Sequence, residues 1–180
     1  MARQIVLHYS DFGNLLHHRT IVISLLAFCR FLRISKLITI QIRDSKISPS
    51  HLEVTIPKSK TDQHREGHIV HIIRTGNQYC PAKWLKSYIQ KTQLGTNDDN
   101  FLISRLFKTE NGHTAHHGKA NFKDTTIGNL FRSEIALIYQ QIEPSKYSLH
   151  SWRSGGASEF PTGLLGNTAD GNPDTPGTGT

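Results

Sequence analysis

Residues 20–32 are apolar at nearly every position, so no polar stripe marks a solvent face. At this length such a run predicts a helix buried on all sides. A shorter amphipathic piece, Arg33-Ile34-Ser35-Lys36-Leu37, follows it. From Ile38 to Ile42 apolar and polar residues alternate, which predicts a strand. Ser48-Pro49-Ser50 signals a turn. His51 to Ile56 alternates again, with Leu52, Val54 and Ile56 on one face. Across a polar hairpin, Lys58 to Gly67, the run from His68 to Ile73 reads as the return strand. These three segments predict a small three-stranded antiparallel sheet with helices before and after it.

Pro81 can open the next helix, which carries Trp84, Leu85, Tyr88 and Ile89 at helical spacing. Residues 92–123 are rich in Asn, Gly, His and Lys and weakly patterned apart from Phe101-Leu102-Ile103; they read as a long loop. Asp124 or Thr125 can cap an amphipathic helix bearing Ile127, Leu130, Phe131, Ile135 and Ile138. Pro144 ends the helical pattern, and Ser148 is placed to cap a further helix carrying His150 and Arg153. From Glu159 onward Gly, Thr, Pro, Asp and Asn dominate, a composition that cannot bury enough surface to offset the entropy of ordering. The expected organisation is an N-terminal remnant at 1–17, one α+β domain at 18–158 that is mainly helical, and a disordered tail at 159–180.

Charge narrows the class of partner. Lys and Arg outnumber Asp and Glu 21 to 14 in 180 residues, giving a net charge of +7 and a pI near 9.6. That balance favours an anionic partner, such as nucleic acid or an acidic membrane surface, over the plain alternative of a merely basic soluble protein. The two cysteines, Cys29 and Cys80, stand far apart and lack zinc-ligand partners, so reduced thiols in an intracellular protein are expected. The apolar run at the start is too short for a signal peptide. The run Ile21–Leu32 contains Ser24 and Arg30 and falls well short of the roughly 20 residues that span a bilayer. The chain therefore reads as soluble, with no membrane partner.

Several cationic and proton-transferring positions stand out by context. Arg33 follows a buried helix, where a charge is costly unless it serves a site. Lys58 and Lys60 lie in a polar hairpin that can reach into a groove. His150 and Arg153, three apart on a helix, project from one face and suit a phosphate: a planar charged fork beside a group able to move a proton. His113-Thr114-Ala115-His116-His117 and His17-His18 invite a metal reading. No Cys or carboxylate stands at a supporting spacing, so no metal is expected there and a polar loop is the reading adopted.

In this order and setting, Phe31-Leu32-Arg33-Ile34-Ser35-Lys36-Leu37, Lys58-Ser59-Lys60-Thr61-Asp62-Gln63 and the stretch Ser148–Ser158 resemble the tyrosine recombinase (phage integrase) family, especially domains carried by eukaryotic mobile elements. The resemblance spans roughly residues 18–158. It implies the catalytic domain of that family and a tyrosine that attacks a DNA phosphodiester to form a 3′-phosphotyrosyl link. Arg33 and Arg153 are then expected to clamp the nonbridging oxygens, and Lys60 to protonate the leaving 5′-oxygen. His150 is expected to assist proton transfer at the attacking side. Between the two hairpin lysines, Lys60 is preferred for the leaving group and Lys58 for a phosphate contact. Lys36 and Arg43 are expected to touch DNA as well. No cofactor is implied, because two guanidiniums supply the positive charge.

The sequence departs from the family pattern at three places. The acidic residue expected three after the first Arg is Lys36. The His or Trp expected about two dozen residues past Arg153 has no counterpart, and no Tyr follows Arg153. The expected protein is thus a DNA-binding, recombination or integration domain of recombinase type, truncated or frameshifted at its C-terminus and defective in strand cleavage by itself. Its partners would be double-stranded DNA and an intact recombinase subunit able to lend a tyrosine. It would reside wherever genomic DNA does, the nucleus in a eukaryote. The alternative is a non-catalytic basic nucleic-acid-binding or inhibitory protein.

Overall fold

The computed structural model describes residues 2–9, 13–29, 34–56, 68–96, 98–117 and 124–138. Helix α1 (Ala2–His8) is followed by α2 (Leu15–Cys29), whose first turn is capped by Asn14: its Oδ1 accepts the Leu16 N–H at 2.9 Å. Every residue of α2 from His18 to Phe28 is buried, as the apolar run predicts from residue 20 on; residues 30–32 of that run lie outside the described residues. Two hydroxyls within it are satisfied locally, Thr20 by the Leu16 carbonyl and Ser24 by the Thr20 carbonyl. Ala2, Ile5, Val6 and Tyr9 join the same core cluster as Ile21, Leu25 and Leu26, so α1 packs into the body of the fold.

After the short helix α3 (Ile34–Leu37) comes the first departure from expectation. Residues 38–42 do not form a strand of the sheet. Ile38 and Ile40 are buried as their alternation requires, but the backbone pairs elsewhere. The Ile40 carbonyl accepts the Leu102 N–H at 2.8 Å, and the Ile42 N–H donates to the Asn100 carbonyl at 2.9 Å. This is an isolated bridge, Gln41 to Phe101, followed by a 3-10 turn at Ile42–Asp44. The sheet begins only afterwards, at β1 (Ser45–Ile47).

Strands β2 (His51–Ile56) and β3 (His68–Ile73) stand where the sequence places them. The sheet is antiparallel in the order β1-β2-β3, with Glu53 opposite Lys46 on one side and His71 on the other. Leu52, Val54, Val70 and Ile72 point into the core, while Ile69 and Ile73 are exposed on the opposite face. A one-residue slip would turn both sets over, so burial of the inner four fixes the register.

Helix α4 (Pro81–Thr92) opens with Pro81 in its first turn and stops at Gln93, which takes a left-handed conformation. Its buried face, Trp84, Leu85 and Tyr88, packs against α2, leaving Lys83, Lys86 and Lys91 outward. The second departure lies between residues 92 and 123, where a loop is expected. A 3-10 turn spans Leu94–Thr96, and β4 (Leu106–Thr109) pairs antiparallel with β5 (Gly112–Ala115). Helix α5 (Asp124–Ile138) already includes both Asp124 and Thr125, the residues expected to cap it, and it buries Ile127 and Glu134. Among the described residues the fold is therefore α+β, five α-helices with a three-stranded antiparallel sheet and an added hairpin.

Candidate nucleic-acid interface

The expected phosphate-binding positions fall between or beyond the described elements. Arg33 falls between the last residue of α2, Cys29, and the first of α3, Ile34. Lys58 and Lys60 fall between Ile56, which ends β2, and His68, which begins β3. His150 and Arg153 come after Ile138, the end of α5. All five lie outside the described residues, as does the segment 159–180.

The two remaining positions are described. Lys36 is half-buried on α3, and its carbonyl accepts both the Thr39 N–H at 3.0 Å and the Thr39 hydroxyl at 2.8 Å. Arg43 is exposed in the 3-10 turn, with Nη1 2.8 Å from the Asp99 carboxylate. An ion pair this open contributes little to stability, so its guanidinium can trade the carboxylate for a phosphate at small cost.

Of the polar groups inside the fold, the sequence points only to His17 and His18, and not to Arg19, Tyr88 or Ser104 as polar partners. His17 and His18, weighed there as a polar loop, belong to α2 instead. His17 stacks on Tyr9 with ring centroids 4.1 Å apart. His18 is buried with Nε2 3.0 Å from the Trp84 carbonyl, and burial lowers its pKa despite that hydrogen bond. Arg19 is buried too: its Nη1 donates to the Ser104 carbonyl at 3.4 Å, and burial pulls its pKa down. The Ser104 hydroxyl is 3.2 Å from the Tyr88 hydroxyl, which burial pushes up. These groups form a polar seam between α2, α4 and Ser104. The available signal was the triplet His17-His18-Arg19 opening an otherwise apolar helix.

On the outer face of the sheet, Lys46, Glu53 and His71 form a row across the three strands. The Glu53 carboxylate receives a 2.7 Å hydrogen bond from His51 Nε2, which is the first cause holding its pKa below the ordinary value. Lys46, His51 and His71 add electrostatic stabilisation of the same carboxylate. The histidines of the run 113–117 stand differently: His113 is on β5, and His116 meets Phe107 edge-on at 5.3 Å. Among the described residues no helix is long and apolar enough to cross a membrane.

No protein-family model matches this sequence, and no curated protein matches it either. Among solved structures it is similar to XerH, a site-specific recombinase, in a crystal structure with its difH substrate described as a pre-cleavage complex. The TM-score is 0.57 at 13% sequence identity, covering 87% of this chain and 40% of that one. The likeness establishes a shared fold. This chain spans two fifths of the length of the recombinase chain it matches.

Proposed function

We propose that the chain is a DNA-binding domain of the tyrosine recombinase type, which grips a backbone phosphate and does not cut it alone. The observation that carries this reading is the agreement of two independent lines. The fold is that of a recombinase crystallised on DNA, and the residues Arg33, Lys60, His150 and Arg153 stand in the family's order along the sequence. Arg33 and Arg153 serve as the phosphate clamp, Lys60 as the proton donor to the leaving oxygen and His150 as its counterpart at the attacking side. Lys58, Lys36 and Arg43 contribute contacts to the DNA backbone, which position without reading sequence. No metal or nucleotide is required for that grip.

The non-cutting part of this reading rests on these 180 residues holding no Tyr after Arg153, where the family resemblance puts the nucleophile. A related subunit that carries the tyrosine could complete the site. The test is a nicked suicide DNA substrate incubated with the protein and resolved under denaturing conditions. No covalent protein–DNA adduct is expected from the chain alone. Mixing it with an intact recombinase whose own first Arg is substituted should restore cleavage. A phosphotyrosyl adduct from the chain alone contradicts the non-cutting role.

A further inference from the structure

Two strands bring three good metal ligands together on the outer face of the sheet. His51 and Glu53 lie two apart on β2 and so share a face, and Glu53 is directly opposite His71 on β3. The ligand atoms of His51, Glu53 and His71 all lie within 4.8 Å of one another. The two imidazole rings have centroids 5.4 Å apart, and His51 Nε2 is 2.7 Å from Glu53 Oε1. We propose that His51, Glu53 and His71 form a binding site for a divalent transition-metal ion of the zinc class, which straps β2 to β3.

The chemistry of the donors selects the ion. Two imidazoles and one carboxylate suit zinc and its neighbours, whereas magnesium and calcium take oxygen ligands. Three protein ligands are enough for zinc when water takes the fourth position. Ligands on a tetrahedral zinc at ordinary bond lengths stand about 3.3 Å apart. Against that spacing the His51–Glu53 pair, at 2.7 Å, has to open slightly, while all three ligand atoms already lie within 4.8 Å of one another. The backbone is held in place from behind, because Leu52, Val54, Val70 and Ile72 are packed in the core and pin the register.

A supporting contact orients one ligand. His51 Nδ1 is 2.8 Å from the Ser50 hydroxyl. With zinc on Nε2, the ring proton moves to Nδ1 and is donated to that hydroxyl, the usual outer-shell arrangement for a metal-bound imidazole. The proton that Nε2 now shares with Glu53 is displaced, and the carboxylate turns from the imidazole to the ion. Lys46, beside Glu53 on β1, then supplies the competing positive charge. The metal ties together the two strands that flank residues 57–67, the segment containing Lys58 and Lys60.

The test is calorimetric titration of the whole 180-residue chain with zinc chloride, alongside His51→Ala, His71→Ala and Glu53→Gln variants. Wild type should take up one zinc saturably at this site, and each substitution should weaken that binding by about tenfold or more. The double variant His113→Ala/His116→Ala should bind like wild type. Unchanged affinity in the three sheet variants, or no saturable uptake by the folded wild type, overturns the site. A second measurement needs no variant: cobalt(II) added to the wild type should broaden the ring-proton resonances of His51 and His71 first. Broadening centred on His17 or His113 instead contradicts the proposal.

Discussion

His18 on α2 holds its Nε2 3.0 Å from the backbone carbonyl of Trp84 on α4, and its ring meets the Trp84 indole edge-on at 4.9 Å. Since a carbonyl only accepts, Nε2 carries the proton and the ring is the neutral tautomer with Nδ1 bare. Nδ1 is buried and has no hydrogen-bond partner among the described residues. A second proton would therefore put a charge where nothing receives it, and burial accordingly lowers the pKa of this histidine.

The consequence for stability has a definite sign. The folded pKa lies below the unfolded one, so the unfolded chain binds more protons as pH falls. The contribution of neutral His18 is complete above the unfolded value, about 6.5, and drains away as pH drops from there toward the folded value. Urea unfolding at pH 7.5 and 5.5 should show a loss of stability on acidification. His18→Gln should flatten that loss, and an unchanged pH slope in this variant would count against the account. His18→Ala should cost about 1–3 kcal/mol at neutral pH, because the Trp84 carbonyl loses this donor.

Tyr9 and Glu134 make a second buried link, joining α1 to α5. The Tyr9 phenol donates to the Glu134 carboxylate, and burial followed by that hydrogen bond raises the tyrosine pKa. Burial raises the Glu134 pKa as well, more than the Tyr9 hydrogen bond and the nearby His17 and His8 lower it. Here the sign reverses: stability is fully present below the unfolded glutamate pKa and is lost as pH rises through the folded one. Glu134→Gln keeps an acceptor for Tyr9 and removes the buried charge, so it should match or exceed wild-type stability at pH 7. Tyr9→Phe should cost about 1 kcal/mol. Denaturant midpoints of the two variants check both statements.

Leu85 is fully buried in the face of α4 that packs on α2. Leu85→Ala should cost about 2–5 kcal/mol, the range for removing a core leucine whose surroundings cannot fully collapse. Leu137, 59% exposed on α5, serves as the contrast. Leu137→Ala should change stability by less than about 0.5 kcal/mol.

Gly112 begins β5 with a φ of +123°, a backbone region that L-residues rarely adopt, although a Cβ there would meet nothing within 4 Å. The glycine is thus required by the turn and not by crowding. Gly112→Ala should destabilise the β4–β5 hairpin, with a cost of about 1–3 kcal/mol. Faster amide exchange at Leu106–Ala115, with β2 and β3 unaffected, is the expected observation.

The parts of the fold that were legible in the sequence are those where burial and hydrogen bonding follow one local pattern. Leu52, Val54, Val70 and Ile72 alternate and pair within one hairpin, so β2 and β3 are read correctly. The apolar run in α2 and the Pro81 start of α4 are equally local. Ile38 and Ile40 alternate for a different reason: they are buried, but their backbone bonds to residues 100–102, some sixty positions away, which no local pattern reveals. β4 was missed because Phe107, Lys108 and Thr109 are all exposed, leaving no apolar face to betray a strand. Asn111-Gly112 was the overlooked signal. For the site, the order Arg33, Lys60, His150, Arg153 is a pattern of the sequence alone, since all four lie outside the described residues. The cluster His51, Glu53 and His71 is not legible there, because it appears only when the register sets Glu53 against His71.

The grip on DNA phosphate proposed for Arg33 and Arg153 is tested most directly by equilibrium binding to duplex DNA across a tenfold range of salt. Affinity should fall linearly on logarithmic axes, with a slope near −0.9 for each phosphate neutralised. Arg33→Ala and Arg153→Ala should each reduce that slope by about one while weakening binding to all sequences alike. A salt-independent affinity, or slopes untouched by both substitutions, would contradict the phosphate clamp.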